Sequence, residues 1–562
     1  MRKYLRENWL ALGCFLVGVL LVWGQLQYPS HWLNEWDESQ LINSGRMLAH
    51  GHMPVYALSP FLAFFYLPFF ELFKHNQMWL FDAATWGHRV LFLGLWGVLW
   101  LIGREILPRE QRVAILVWPI VTSAFAGVVA NSSDAAFTIM SGLAFWQLMQ
   151  FRMTLSYKNA AWMGFFLGLS ALCRADGLLL TVLSTIILVS ILYQRDKLKL
   201  GGPLLGALLL PAIAVIGMDL GLQHKLTGQS YLGLKPRSYV AFEQGQGVVY
   251  ADQFKDQNPM SAGLKWSQKL YGPATKNDNS IFKAFTKNPQ AFTDRMTRQV
   301  KQAPRQAIDA YSDANINQPG GIPITGIAFL MAVVAGGIFL VRERQKGLAT
   351  ICLVWTSFLF VYLITFYRPG YFLTVCFPLF VLAGFGFVWV IQSVEAMFPK
   401  TEFAQYLVAV PALVLGLVAG ITRGIPSPRT YAASEGEIRL ALTAINHAAP
   451  NGSVVSSAPQ IAFLAQKQWV DPSSAPQEPG HFKTWAQKNS AHAMVIDGRL
   501  QYDDPELYTA LSKLVPKLGQ SMTPSAEDIK VYKLPNQAVV AAKETQLRVH
   551  KHRRKKKRHR RK

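Results

Sequence analysis

The sequence predicts a polytopic α-helical membrane protein of about eleven spans, closed by a small C-terminal α/β soluble domain. Three observations predict it. Of the 562 residues 51% are hydrophobic and only 16% charged, against roughly 25% charged in a soluble domain. The charges gather between long apolar runs instead of spreading evenly. Lys and Arg also fall unevenly between alternate short loops, as they do where a membrane sets the topology.

A helix rises about 1.5 Å per residue, so a hydrocarbon core of ~30 Å takes about 20 apolar residues. The runs that approach this measure are 9–28, 86–103, 113–130, 134–151, 159–173, 177–193, 203–222, 322–341, 348–366, 371–392 and 405–422. The fifth and sixth are short and meet at Arg174-Ala175-Asp176-Gly177, where they can equally form one broken pair. With the N-terminus in the cytoplasm, the inside segments 1–8, 103–112, 151–158, 194–200, 342–347 and 393–403 hold 15 Lys and Arg, and the short outside segments 29–85, 174–177 and 367–370 hold four. That asymmetry sets the orientation. Arg2, Lys3 and Arg6 precede the first run, and no small-residue cleavage site follows it. It reads as an uncleaved span.

Two outside regions are large. In the first, 29–85, Ser39 to Ala49 reads as a short helix with Leu41, Ile42, Met47 and Leu48 on one side, and Pro60 to Phe73 is apolar but too short to span. Both fit helices lying in the interface plane. The second, 223–321, is polar and basic, with an amphipathic helix over Pro289 to Ile308 that carries Arg295, Arg298, Lys301 and Arg305. These loops and the spans form a domain over 1–422. After it the composition becomes that of a soluble unit, 423–540: helices over Glu435–Ala448 and Pro505–Leu518, strands over Ser453–Ser457, Ala493–Asp497 and Ile529–Leu534. Strands separated by helices indicate an α/β domain. Span parity puts it outside. Residues 541–562 read as a disordered basic tail.

The net charge of +23 does not indicate a nucleic-acid partner. Eleven Lys and Arg, with no acid, lie between Arg548 and Lys562, and the rest of the excess flanks the spans. A basic tail of this kind can bind anionic lipids or envelope glycans. The four cysteines, Cys14, Cys173, Cys352 and Cys376, lie in or beside apolar runs without metal or redox spacing, and read as small core residues.

The candidate chemistry lies just after the first span, at Trp36-Asp37-Glu38-Ser39. Paired carboxylates can deprotonate an acceptor hydroxyl or hold a divalent cation against a phosphate. They can equally cap the helix that starts at Ser39. On the same topology, His88 and Arg89, Asp134, Arg174 and Asp176, and Arg368 and Tyr371 all fall at outer ends of spans. Ionisable groups at that depth are costly and indicate function, and an arginine there can fork onto phosphate oxygens. Structural pairing of Arg174 with Asp176 is the alternative.

Residues 1–422 resemble the GT-C fold of integral-membrane glycosyltransferases, specifically the bacterial branch related to protein O-mannosyltransferases and the aminoarabinose transferases of lipid A. The resemblance rests on the acidic pair in Trp36-Asp37-Glu38, the helix ending in Met47-Leu48-Ala49-His50-Gly51-His52, and the apolar helix with Tyr66-Leu67-Pro68. It rests also on LSALCRADGL at Leu169–Leu178 and on the Arg-Tyr stretch from Tyr367 to Pro378. Position 175 is Ala where the family often has Pro, and Pro369-Gly370 separates Arg368 from Tyr371 where the family often has them adjacent.

The resemblance implies an enzyme of the bacterial inner or plasma membrane. It would move a sugar from a polyprenyl phosphate or diphosphate to a lipid, glycan or protein acceptor on the extracytoplasmic face, with inversion at the sugar carbon. It implies Asp37 as general base, and Glu38 assisting through the acceptor or through a cation, Mg or Mn, held by Asp37 and Glu38. Arg174, Arg368, Arg89, Lys235 and Arg237 become candidates for the donor phosphate, and Asp134, Asp176, Tyr371 and His88 further outer-face candidates. A transporter of lipid or solute would also place charge among spans, but transporters are commonly built from two related halves, and none is visible here. A non-enzymatic membrane scaffold is the remaining alternative.

Overall fold

A computed structural model describes residues 12–20, 36–52, 59–108, 111–122, 124–228, 234–254, 259–312, 324–360, 362, 369–397, 410, 414, 435–524 and 529–535. Among these, four helices are long and apolar enough to cross a membrane: Gly177–Gln194, Leu198–Leu226, Ile324–Arg342 and Gly370–Met397. The chain is an integral membrane protein.

The side chains say which helices meet lipid. Ile324, Ile327, Met331, Val334, Ile338 and Val341 are large, apolar and exposed, and their spacing of three and four puts them on one stripe of a helix. In water such a stripe would seek cover; in hydrocarbon it needs none. By contrast, 83% of the most apolar window of Gly370–Met397 is buried, which makes this the central helix.

Helix α1 covers Trp36–Ala49, α2 Pro60–Phe73 and α3 Trp79–Ile106. Helix α1 starts three residues before Ser39, so Asp37 and Glu38 lie in its first turn. Helices α1 and α2 pack at Gly45, where a Cβ would come within 2.5 Å of the Tyr66 backbone. The expected span 113–130 departs from a single run. Val113–Thr122 is interrupted at Val117, and Ala124–Val129 follows. Pro119 lacks the N–H a helix interior needs and sits where a new helix can begin.

Helices α4 (Ser132–Thr154), α5 (Tyr157–Cys173) and α6 (Gly177–Gln194) then run up and down. The last two are separated by only Arg174, Ala175 and Asp176, as the sequence placed the junction. Helix α7 (Gly201–Thr227) leads to the second outer loop, a group of helices α8 (Leu234–Val249), α9 (Pro259–Tyr271), α10 (Ile281–Lys287) and α11 (Pro289–Ala310). This group has its own apolar centre around Tyr239, Phe242 and Tyr271. Arg295, expected on a basic face, is fully buried there, donating to the Phe242 carbonyl at 2.7 Å with its guanidinium 4.3 Å from the Phe242 ring. Helices α12 (Ile324–Arg342), α13 (Lys346–Thr356) and α14 (Cys376–Met397) complete the membrane helices among the described residues; the expected spans 9–28 and 405–422 fall largely outside them. Helices α12 and α14 touch backbone to backbone at Gly336 and Gly386, as small residues allow in lipid.

The C-terminal unit forms a five-stranded sheet in the order β2-β1-β3-β5-β4: β1 Ser453–Val455, β2 Trp469–Val470, β3 Ala491–Ile496, β4 Gln520–Ser521 and β5 Lys530–Lys533. Strands β1, β2 and β3 are parallel, and β5 pairs antiparallel with β3 and β4. The helices Glu435–Ala448 and Pro505–Leu518 have the bounds read from sequence. This unit rests on the first outer loop. Arg46 of α1 reaches the Gln466 carbonyl at 3.3 Å, and Gln466 reaches back to the Lys74 carbonyl at 3.2 Å. All four cysteines are free and buried.

Candidate functional site

The first turns of α1, α4 and α6, the C-terminal end of α5 and the N-terminal half of α3 converge on one buried polar belt, organised by the first turn of α4. Asn131 caps that helix, accepting from the backbone N–H groups of Ser133 and Asp134 at 3.0 and 3.4 Å. The turn then holds two charges, one on either side.

On the first side is Glu38, 2% exposed. Its Oε1 accepts from the Ser132 hydroxyl at 2.6 Å and from His88 Nε2 at 2.7 Å, and the Tyr66 hydroxyl lies 3.5 Å away. Its Oε2 accepts from the Ser132 backbone N–H at 3.0 Å. Glu38 therefore serves a helix N-terminus, as the capping alternative expected of an acid, but that of α4, 94 residues away in sequence. The helix dipole and the orphan N–H both attract an acid side chain there. Tyr66 finds its place because position 87 is Gly: a Cβ would lie 2.5 Å from its ring.

On the second side is Arg174. Its Nη1 donates to Asp134 Oδ1, while Nε and Nη2 donate to Asp176 Oδ2 at 3.2 and 2.9 Å. The guanidinium lies 4.8 Å from the Tyr371 ring, 5.6 Å from Tyr362 and 5.9 Å from Phe137. Tyr362 and Tyr371 stack at 4.4 Å, and the Tyr362 hydroxyl donates to Asp176 at 3.2 Å. One cation is thus forked between two carboxylates and held against aromatic faces.

Of the sequence candidates, Glu38, His88, Asp134, Arg174, Asp176 and Tyr371 are thus brought into this belt. Arg89 follows His88 on α3 and is buried, its guanidinium 4.9 Å from the Trp86 ring. Asp37 lies in the first turn of α1, and Lys235 and Arg237 in the first turn of α8, but their side chains are outside the described residues, as is Arg368. Sequence reading missed Ser132, Tyr66 and Tyr362. Polar residues flanking Asp134 were the only local signal for the first.

Both Glu38 oxygens accept protein donors, Oε2 only one, and the Asp37 side chain, the other half of the expected cation site, lies outside the described residues. Among the described residues no three His, Cys, Asp or Glu side chains gather to hold a metal ion.

No protein-family model matches the chain, and no curated protein matches its sequence. Solved structures do match its fold. The archaeal oligosaccharyltransferase AglB from Archaeoglobus fulgidus, in complex with an inhibitory peptide and a dolichol-phosphate, aligns at TM-score 0.53 and 12% identity, over 95% of this chain and 75% of that one. The Archaeoglobus fulgidus oligosaccharyltransferase tethered to an acceptor peptide aligns at TM-score 0.52 and 10% identity, over the same 95% and 75%. Its complex with Zn and sulfate aligns at TM-score 0.53 and 10% identity, over 93% and 74%. The fold is therefore the one the sequence resemblance implied: this chain is built on the GT-C architecture.

Proposed function

We propose that the chain is a membrane glycosyltransferase that moves a sugar from a polyprenyl phosphate or diphosphate to a lipid, glycan or protein acceptor on the extracytoplasmic face. The observation that carries the reading is the buried belt in this fold, with Glu38 fixed at 2.6–3.0 Å by Ser132 and His88 directly beside Asp37. In support, the oligosaccharyltransferase of the same fold was solved with a dolichol-phosphate.

Asp37 is the general base. It takes the acceptor proton as the acceptor oxygen attacks the sugar carbon from the side opposite the phosphate. The bond from that carbon to the phosphate oxygen breaks, and the polyprenyl phosphate leaves with the electron pair, inverting the carbon. Glu38 is a positioning residue. Through its bonds to Ser132 it anchors the first turn of α1 to α4 and so sets where Asp37 stands. Arg174, neutralised by Asp134 and Asp176, holds the junction of α5 and α6 to α4. The growing phosphate charge falls to other cations, for which Arg368, Lys235, Arg237 and Arg89 are the candidates. Preorganised cations in a partly dry site stabilise a leaving phosphate strongly.

The orientation follows the Lys and Arg asymmetry: N-terminus cytoplasmic, belt and C-terminal unit outside, about eleven spans in all. The contact of Gln466 with the first outer loop supports placing the C-terminal unit and the belt on one side.

The test is direct. The purified chain is given a panel of radiolabelled polyprenyl-phosphate sugars with a membrane acceptor extract. Consumption of one donor is expected, and Asp37→Asn lowers it ~10²–10⁴-fold. Undiminished transfer by that variant removes Asp37 as the base, and failure of every donor removes the reading.

A further inference from the structure

We infer a second lipid site, at the membrane face opposite the belt: a pocket for the phosphate of an anionic lipid, formed by Arg152 and Arg195 at the ends of α4 and α6 and by the first turn of α13. The inference is independent of sugar transfer.

The pocket is a cavity of about 350 Å³. Its lining holds Arg152 and Arg195 together with Ile187, Ile351 and Val354, and a Cβ at Gly347 would lie 3.8 Å from the Arg152 guanidinium. Asp134 and Arg152 are 18 residues apart on one continuous helix, which is about 27 Å at 1.5 Å per residue. That distance nearly equals the ~30 Å hydrocarbon core, so belt and pocket stand at opposite faces.

The chemistry of the pocket is that of an anionic headgroup with its chain. Two guanidiniums share one cavity, and among the described residues neither has a carboxylate partner. Arg174, at the other face, has two. Like charges held together without an acid repel, and a phosphate relieves the repulsion while accepting forked hydrogen bonds. Helix α13 begins beside them with no side-chain cap, so its first N–H groups and its dipole add to the attraction. The apolar walls suit an acyl or prenyl chain and not a free anion. Basic pockets between membrane helices take lipid headgroups in this way. The phosphate can belong to a bulk glycerophospholipid or to a polyprenyl carrier, and the experiment separates the two.

The full chain, purified in detergent, is examined by native mass spectrometry with phosphatidylglycerol, undecaprenyl phosphate, phosphatidylcholine and inorganic phosphate. Wild type retains at least one of the two anionic lipids several-fold over phosphatidylcholine. Arg152→Gln with Arg195→Gln brings that preference close to one. Ser190→Trp, which fills the cavity and leaves both arginines in place, does the same and stands in if the double variant does not fold. Retention of phosphatidylglycerol assigns the site to bulk lipid, and selective retention of undecaprenyl phosphate assigns it to the carrier; either supports the site. A preference unchanged in the variants, no preference in wild type, or displacement of the lipid by millimolar inorganic phosphate overturns it.

Discussion

Ser132 holds Glu38 twice, through its hydroxyl at 2.6 Å from Oε1 and its backbone N–H at 3.0 Å from Oε2. One residue of α4 thereby fixes the carboxylate next to the proposed base. Ser132→Ala keeps the backbone bond and loses the hydroxyl, and is expected to cost about 1–2 kcal/mol. Ser132→Thr retains the hydroxyl and should cost less than half as much. Thermal unfolding in detergent measures both. Equal losses would mean the hydroxyl bond carries nothing.

The Arg174 cluster predicts strong coupling. Arg174→Ala removes the cation shared by Asp134 and Asp176, which are 6% and 27% exposed at the side chain. A loss of about 3–5 kcal/mol follows for the more buried pair. Asp134→Asn combined with Arg174→Ala should be less damaging than the sum, with a coupling of about 0.5–3 kcal/mol in a double-mutant cycle. Additive losses would mean the two side chains do not sense each other.

Gly45→Ala places a methyl 2.5 Å from the Tyr66 backbone carbon. Backbone cannot rotate aside as a side chain can, so α1 and α2 must separate. The expected cost is about 1–3 kcal/mol, with faster proteolysis of the first outer loop. Gly51→Ala, where no atom lies within 4 Å but φ is +74°, serves as a control for strain without a clash.

In the second outer loop, burial pushes the Glu243 carboxyl up from 4.5 to about 7, and its Oε1 has no hydrogen-bond partner. A raised acid costs stability as pH rises: between about 4.5 and 7 the unfolded chain gives up its proton while the folded chain keeps it. Wild type should therefore lose up to about 3 kcal/mol from pH 4.5 to 8 relative to Glu243→Gln, less where water screens the carboxylate, with a plateau above pH 8. Parallel stability curves for the two proteins would show that Glu243 ionises normally.

Gly480 is open to solvent, with nothing within 4 Å of a Cβ. A single cysteine there in an otherwise cysteine-free chain should react with an impermeant thiol reagent added from outside the cell. Reaction from the cytoplasmic side alone would invert the proposed orientation.

Local order was legible in the sequence. Pro60–Phe73 and Pro505–Leu518 start at prolines suited to the first helical turn and carry continuous helical patterns. The Arg174–Asp176 junction was visible because two charged residues, Arg174 and Asp176, interrupt two apolar runs. Partnerships were not legible. Glu38 and Ser132 are 94 residues apart, and Tyr362 and Asp176 186; no periodicity links such positions. Glu38 was visible as an acid near a helix start, but nothing local told which helix it would serve. Arg295 misled because helical spacing shows a face, not what covers it.

The Arg174 cluster also bears on how the chain is made. Asp134 and Asp176 lie close to Arg174 in sequence and can pair with it as soon as α4, α5 and α6 have entered the bilayer. Tyr362 and Tyr371 leave the ribosome almost two hundred residues later. During that interval a bare guanidinium would be a charge stranded near lipid, and the two acids shelter it until the aromatic walls arrive. The carboxylates thus act as a chaperone in cis for their own arginine, and variants lacking them should be recognised by membrane quality-control proteases before the last spans are synthesised.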